Sequence, residues 1–546
     1  MQNKYLSKNN WLILTIIISL IVSIPIIIVL LSILFPKNQN WEHILDNLLW
    51  IYISETFFLV SLTIAISTFF GVICAWFCTN LEFPFRKIIS WMLILPLACP
   101  AYIVAYVYAD ILEYGGFLQT SLEFFLNYKI NIWPKEGIRT IIGASFILST
   151  VLYPYIYILS RNSFIQSSKS LEETSKMLGL SRIKILLKVS LPMARPAIIG
   201  GVLLVTMEVV ADFGVSDHFG ISTITAGIFR TWLLLGDKIS ALQLSASLFI
   251  FILFLILLEK STRKGKVLNP DNNLLKIKRT ETKLAGYFIS MFCFIPIIFG
   301  FIIPTLVLII FHISSSNSFF EIQFLEKIFN SFYVASIAST ITLFVAILLI
   351  YSNRINPNKI SKKLVEVSTL GYTLPGAVIG LGVIMFLTWV DLGIARFALT
   401  YFKYDAGLIL TGSISALVLG YIIRFLTVAY NSCQSNYSQL DRLIDDKGKV
   451  LGARNSRIVK EIHLPLVLPA ILSGWLLVFV EVIKELPATL ILRPFNFETL
   501  STSVYRLASD ERIIEASSSS LLIICLGVIS VLILTSRSSF GIYTKN

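Results

Sequence analysis

The sequence predicts an all-α polytopic membrane protein with about twelve transmembrane helices, arranged as two parallel six-helix repeats. Three observations predict it. Hydrophobic residues make up 56% of the 546-residue chain and charged residues 14%, against roughly a quarter charged in a soluble domain, and mean hydropathy is +0.80. The apolar residues gather into runs of about 20, the length that crosses a hydrocarbon core. Finally, the stretch Leu171 to Ile198, LEETSKMLGLSRIKILLKVSLPMARPAI, recurs. Moved by 273 positions, half of the 546, it lies ungapped on Ile444 to Ile471, IDDKGKVLGARNSRIVKEIHLPLVLPAI. Nine of its 28 positions are identical, so the chain is an internal duplication.

Lys4 and Lys8 precede the first apolar run, Trp11 to Phe35. It is longer than a signal-peptide core and has no small-residue cleavage site, which predicts a retained first span. Further runs at about 51–78, 88–112, 138–160, 196–213 and 239–258 complete a first repeat, residues 1–258. A basic, polar linker at 259–284 follows, with Glu259 to Lys283 read as solvated anchoring. The second repeat, 285–546, has runs at about 285–312, 330–351, 365–390, 407–430, 466–483 and 517–535. Six spans per repeat is an even number, so both halves insert with the same orientation.

With both termini cytoplasmic, 32 of the 45 Lys and Arg fall on the cytoplasmic side and 13 on the other, as the positive-inside bias expects. The richest segments are 161–195, the linker, and 424–460. Topology in membrane lipid thereby accounts for the net charge of +13, and no nucleic-acid partner is expected. The six cysteines show no C-x-x-C pairing and read as packing residues.

Each copy of the duplicated stretch is polar, basic and helix-capable between long apolar runs. That predicts docking loops at a membrane surface, at 161–195 and 431–465. Ser170 with Glu173 forms a capping box that starts a short helix. Gly179 ends or bends it. Pro192 and Pro465 are expected to stop any helix before the next span.

The two loops match, in order, the pattern E-A-A, three residues, G, nine residues, I-x-L-P. They read Glu173-Thr-Ser, Gly179, Val189-x-Leu191-Pro192 and Asp446-Lys-Gly, Gly452, Ile462-x-Leu464-Pro465. In this the chain resembles the permeases of binding-protein-dependent ABC importers, where the pattern marks the loop that couples to the ATPase. Longer stretches resemble the fused ferric-iron permeases: ADFGVSDHFGISTITAGIFRTW (Ala211 to Trp232), KELPATLILRPFNFETLSTSVYRLASDERIIEAS (Lys484 to Ser517), LPLACPAYIVAYVY (Leu95 to Tyr108) and TLPGAVIGLGVI (Thr373 to Ile384). The resemblance implies a type I importer permease fold in a bacterial inner membrane. It also implies two copies of an ABC ATPase subunit at the loops, a periplasmic substrate-binding protein, and ferric iron as substrate. The departures, Thr-Ser and Lys-Gly for Ala-Ala and Asp446 for Glu, leave docking by the second half the weaker match.

No G-x-x-x-x-G-K-[ST] phosphate loop occurs, so ATP and Mg belong to the partner subunit and no cofactor is expected on this chain. Its four histidines, His43, His218, His312 and His463, are far apart, and neither H-E-x-x-H nor G-x-S-x-G occurs, so no enzyme activity is expected.

Acids inside a membrane are costly and tend to face a cavity or partner. Glu208 and Glu481 are 273 apart, and each is followed four residues later by a second acid, Asp212 and Glu485. On a helix that spacing places both carboxylates on one face, which makes the four candidates for the translocation pathway. Carboxylate oxygen suits a hard cation such as ferric iron. The competing reading has them hydrogen-bonding neighbouring helices or Lys484. Asp217 and His218, just outside the fifth span, are candidates for touching iron or the binding protein, or a solvated loop pair. Within the class, a thiamine or phosphonate permease shares the loop pattern. An ion-gradient secondary transporter would need no coupling loops.

Overall fold

The computed structural model describes residues 2–36, 38–129, 137–166, 175, 177, 180–262, 280–281, 285–315, 322–355, 358–453 and 455–537. The first half contributes α1 (Gln2–Leu31), α2 (Leu49–Asn80), α3 (Arg86–Met92), α4 (Ala101–Leu112), α5 (Ile141–Gln166), α6 (Leu191–Ala211), α7 (Gly214–His218) and α8 (Lys238–Thr262). The second half contributes α9 (Ala285–Ile297), α10 (Ile303–Ser314), α11 (Ile322–Ile355), α12 (Lys359–Ser368), α13 (Gly376–Phe402), α14 (Ile414–Tyr437) and α15 (Arg442–Val450). It ends with α16 (Leu464–Lys484), α17 (Pro487–Leu492), α18 (Leu500–Ser509) and α19 (Ile513–Arg537). The single strand pairing among the described residues is a two-residue parallel bridge, Leu81–Glu82 with Thr280–Glu281. The protein is all-α. Among the described residues eleven helices are long and apolar enough to cross a membrane, and a bent pair makes twelve if counted as one span.

That bent pair corrects the third expected span. The run at 88–112 is broken into Arg86–Ala98 and Ala101–Leu112, at 88° to one another. The break falls at Cys99, extended at φ −90° and ψ 119°, immediately before Pro100. A proline ring disfavours helical backbone in the residue before it and offers no N–H of its own. Carbonyls at the end of a broken helix need donors when no water is near. Two buried tyrosines of α5 supply them: Tyr153 Oη donates to the Leu93 carbonyl at 2.8 Å and Tyr157 Oη to that of Ser90 at 2.9 Å. The second half repeats the device at Leu374, extended at φ −92° and ψ 138° before Pro375. The span expected at 365–390 therefore runs over Gly376–Phe402.

Pro192 and Pro465 do not stop their helices. Each is the second residue of its helix, α6 or α16, which continues directly from a five-residue π-helical turn. Those turns, Leu186–Ser190 and Val459–His463, are 273 residues apart. A first-turn proline sacrifices no hydrogen bond, and the wider π turn makes room for the ring. The fifth and eleventh spans thus run over Leu186–Ala211 and Val459–Lys484.

Contacts divide the chain into two compact units, a different partition from the two sequence repeats. One unit comprises Met1–Asn38, Thr231–Phe249 and Ser318–Ser503. In it α1 lies against second-half helices. Thr15 Oγ1 meets Ser352 Oγ at 2.6 Å, Ser368 Oγ donates to Ser19 Oγ at 2.9 Å, and a Cβ on Gly382 would come within 2.5 Å of the Pro25 carbonyl oxygen. The other unit comprises Gln39–Arg230, Ile250–Asn317 and Val504–Asn546. There α5 is flanked by α2 and α6, with Gly71 and Gly201 both closed onto Ile156. Small residues permit such approach between membrane helices, where dispersion contacts replace the hydrophobic drive.

This packing separates two adjacent glycines. A Cβ at Gly201 would sit 2.8 Å from the Ile156 Cα, whereas at Gly200 the nearest atom is Leu159 Cδ1 at 3.8 Å. Gly201→Ala is expected to destabilise the purified protein by about 1–3 kcal/mol, the usual overpacking cost. Gly200→Ala should be neutral or stabilising by up to about 1 kcal/mol through helix propensity. Thermal melting in detergent reads both, and equal melting temperatures for the two variants would refute the close packing.

Candidate functional site

In the second duplicated loop, Asp441 accepts the Leu443 N–H at 3.0 Å and so caps the start of α15. The helix ends in a Schellman motif. Ala453 N–H donates to the Gly448 carbonyl at 3.0 Å and Gly452 N–H to that of Lys449 at 3.0 Å. Gly452 has φ +81° with open space about it, so backbone conformation rather than crowding demands glycine. In the first loop Glu173 and Gly179 lie outside the described residues, as does the capping box. One bond of the same motif is nevertheless present 273 positions earlier, from Leu180 N–H to the Ser175 carbonyl at 3.1 Å. At each loop a large apolar side chain faces outward: Met177 is 89% exposed and Val450, its repeat partner, 86%, with Leu451 beside it at 85%.

Asp446, which the pattern singles out, is exposed and only 3.8 Å from Lys449 Nζ. Its neighbour Asp445 carries the mechanical connection. Arg354 Nε of α11 meets Asp445 Oδ2 at 2.8 Å, and His463 Nε2 meets Oδ1 at 2.6 Å. On its other side His463 Nδ1 meets Tyr437 Oη at 2.9 Å. A neutral imidazole satisfies both contacts when the phenol donates to Nδ1 and Nε2–H donates to the carboxylate. Arg354 also donates to the carbonyls of Tyr437 and Leu440, at 3.3 and 3.2 Å. This chain ties α15 to α11, α14 and the π turn that opens α16. Burial alone would raise the Asp445 carboxyl, but Arg354 and His463 outweigh it and hold the group below the usual carboxylate range. In the first copy the positions of Asp445 and His463 are held by Glu172 and Ser190, so the same triad is not available.

The intramembrane acids need a correction. Helix α6 ends at Ala211 and α16 at Lys484, so Asp212 and Glu485 are not on a helical face with Glu208 and Glu481. Both are in extended backbone and turn their carboxylates onto the next short helix. Asp212 accepts from Ser216 N–H at 3.0 Å, Ser216 Oγ–H at 3.1 Å and Val215 N–H at 3.4 Å. Glu485 accepts from Ala488 N–H at 3.0 Å and lies 3.0 Å from Arg424 Nε. Arg424 therefore belongs inside α14, paired with a buried acid, and not to the cytoplasmic segment in which its charge was counted. Glu481 is 3.9 Å from Lys484 Nζ, and Glu208 is half-buried on α6.

Asp217 and His218 end α7 and are half-buried. Asp217 Oδ2 accepts from Tyr505 Oη at 2.8 Å. The His218 ring stands edge-on to Tyr106 with centroids 4.6 Å apart. Burial, and then the charge of Arg139, lower His218 to about 4, so its imidazole is neutral near pH 7. Burial pushes Asp212 up to about 6, against the donors of Ser216 and Val215, and the nearby Asp217 carboxylate adds to the rise.

Residues 67–259 match the family described as binding-protein-dependent transport system inner membrane component. The Fe(3+)-transport system permease protein FbpB 2 of Haemophilus influenzae is 25% identical over 472 residues, 85% of each chain. The chain is similar to the binding-protein-dependent transport permeases. It is a multi-pass subunit of an ABC importer, a kind of subunit that is not itself an enzyme. The ferric transport system permease protein FbpB of Actinobacillus pleuropneumoniae is 22% identical over 81% of this chain and 64% of its own. The sulfate transport system permease protein CysT of Salmonella typhimurium is 26% identical over 27% of this chain and 50% of its own.

The sequence pattern missed Asp445, His463, Arg354, Arg424, Tyr106 and Tyr505. A signal existed only for Arg424, a lone cation within an apolar run, and for Asp445, because position 172 of the first copy is acidic as well.

Removing one partner of a buried ion pair costs about 3–5 kcal/mol, while exposed pairs contribute about 0–1 kcal/mol. Asp445→Asn is accordingly expected to lower the melting temperature of the permease clearly, and Asp446→Asn to leave it unchanged. Because the folded carboxyl of Asp445 is depressed, its stabilisation is full above the unfolded value of about 4 and is lost as pH falls through the folded value. Melting of the wild type should therefore drop below about pH 4 more steeply than that of Asp445→Asn. Parallel pH curves would remove Asp445 from the network's energetics.

Proposed function

We propose that this permease moves ferric iron, delivered by a periplasmic binding protein, into the cytoplasm by ATP-driven alternating access. The observation that carries the iron reading is likeness along 85% of the chain to a ferric permease over 85% of that protein's length, where the sulfate permease matches about a quarter. Two copies of an ABC ATPase subunit, each holding ATP and Mg, dock at the duplicated loops. The chain itself holds no phosphate loop. Met177 on one loop and Val450 with Leu451 on the other supply the apolar contacts, and in the second loop the Schellman-capped helix end holds them outward.

ATP-driven closure of the ATPases then pulls on the loops. In the second half the pull passes from α15 through Asp445, His463 and Arg354 into α11 and α16. The protein resides in a bacterial inner membrane with both termini cytoplasmic, so that both loops face the ATPases. Glu208 and Glu481 are pathway candidates on α6 and α16. Glu485 is the weakest of the four acids for that role, since Arg424 already neutralises it.

The test is uptake of labelled ferric iron into proteoliposomes holding the permease, its ATPase and the loaded binding protein. ATP-dependent uptake of iron but not of sulfate or spermidine is the expected result, and the reverse preference would overturn the iron reading. For docking, Met177→Asp with Val450→Asp should abolish co-purification of the ATPase while the permease keeps its melting temperature, because both side chains are solvent-exposed. Gly179→Asp and Gly452→Asp should weaken it too, the first more strongly. Undiminished co-purification of all these variants would move the ATPase contact elsewhere.

A further inference from the structure

We propose that Tyr106, Asp217 and His218, at the end of α6 remote from the duplicated loop, form a coordination site that receives the trivalent cation on entry. The proposal rests on the iron reading and locates a contact for that cargo. Tyr106 is 2% exposed, and among the described residues its Oη has no hydrogen-bond partner. The same holds for His218 Nε2, which is itself buried. Two buried polar atoms without partners are costly, and here they belong to rings in edge contact, with centroids 4.6 Å apart. Asp217 adjoins them and keeps one oxygen beyond the one that accepts from Tyr505. Asp212, behind Asp217, adds negative potential while committed to the start of α7. The cation whose charge reaches this cluster, Arg139, lies 3.3 Å from Glu113 and is partly neutralised by it.

The duplication supplies the contrast. Glu485 stands at the position of Asp212 in the second half and has Arg424 at 3.0 Å. At the position 273 before Arg424 the chain has Val151, fully buried. One half therefore carries its own cation at this point, and the other leaves carboxylates, a phenol and an imidazole.

A phenol and a carboxylate oxygen with one neutral imidazole suit a hard, highly charged cation. Sulfate would meet carboxylates of its own sign. No three His, Cys, Asp or Glu side chains among the described residues are disposed to hold a metal, so the phenol is the ligand that completes the set. On binding, the Tyr106 O–H proton passes to water as the phenolate oxygen takes the ion, and the iron remains trivalent throughout. The buried phenol and the buried His218 Nε2 form the floor, and half-buried Asp217 forms the rim.

The experiment uses the full-length permease in lipid nanodiscs, titrated with iron(III) citrate. Phenolate bound to iron(III) gives a charge-transfer absorption in the visible region, which carboxylate or adventitious surface binding does not. Wild type should develop the band. Tyr106→Phe should lose it, while Tyr114→Phe, an exposed phenol on the same unit, should retain it. His218→Gln should weaken iron binding by about tenfold or more, the scale on which ligand-shell losses act. Tyr106→Phe keeps the ring and its contact with His218, and melting checks that it folds. Iron uptake at limiting loaded binding protein should fall by a similar factor in both variants. ATP-driven iron uptake by a wild type that shows no band, or a band unchanged in Tyr106→Phe, overturns the site and leaves the iron reading intact. Absence of both uptake and band overturns both.

Discussion

A proline inside a hydrocarbon-spanning segment leaves a carbonyl without its amide partner, and no water is there to replace it. The architecture of this permease depends on how each such carbonyl is met. Where the surroundings supply donors, the helix breaks. At Pro100 the third span turns by 88°, the Pro96 carbonyl is met by Cys99 N–H, and Tyr153 and Tyr157 of α5 take the carbonyls of Leu93 and Ser90 in the turns before the break. Where the helix supplies its own slack it continues, as at Pro192 and Pro465 behind their π turns.

The duplicated loops use a different economy, since they lie outside the apolar spans. The nine-residue helix of the second loop is too short to be stable alone, so caps at both ends and tertiary ties must hold it. In the second copy Asp441 and the Schellman bonds close the ends, and Asp445 ties the middle to Arg354 and His463. The result is a rigid arm on which Val450 and Leu451 are displayed.

The span count and the duplication were legible because both rest on signals summed over many residues, a long apolar run and a 28-residue match. The break at Pro100 was not. Pro25, Pro154, Pro196 and Pro469 all remain inside helices, so proline alone does not decide, and the tyrosines that meet carbonyls ahead of the break come from another span. Asp445 and Asp446 are likewise indistinguishable in composition. The helical turn sends one toward the bundle and the other to solvent, and the motif drew the eye to the exposed one. The pairing of Asp212 with Glu208 on one face failed because the helix stops one residue earlier, at Ala211.

Duplication followed by divergence at matched positions explains why the halves are not interchangeable. Both keep an acid just beyond the span to cap the next helix, Asp212 in one and Glu485 in the other. The extra methylene of glutamate gives the second a longer reach, and a guanidinium on α14 meets it, whereas valine holds that place in the first half. The capping function, which the fold requires, is conserved between the copies. The charge balance, which the fold does not require, has drifted apart. In the second half Arg424 lies directly against the capping acid, whereas in the first half the cation whose charge reaches this end, Arg139, is paired with Glu113 and Asp212 is met by backbone and hydroxyl donors alone.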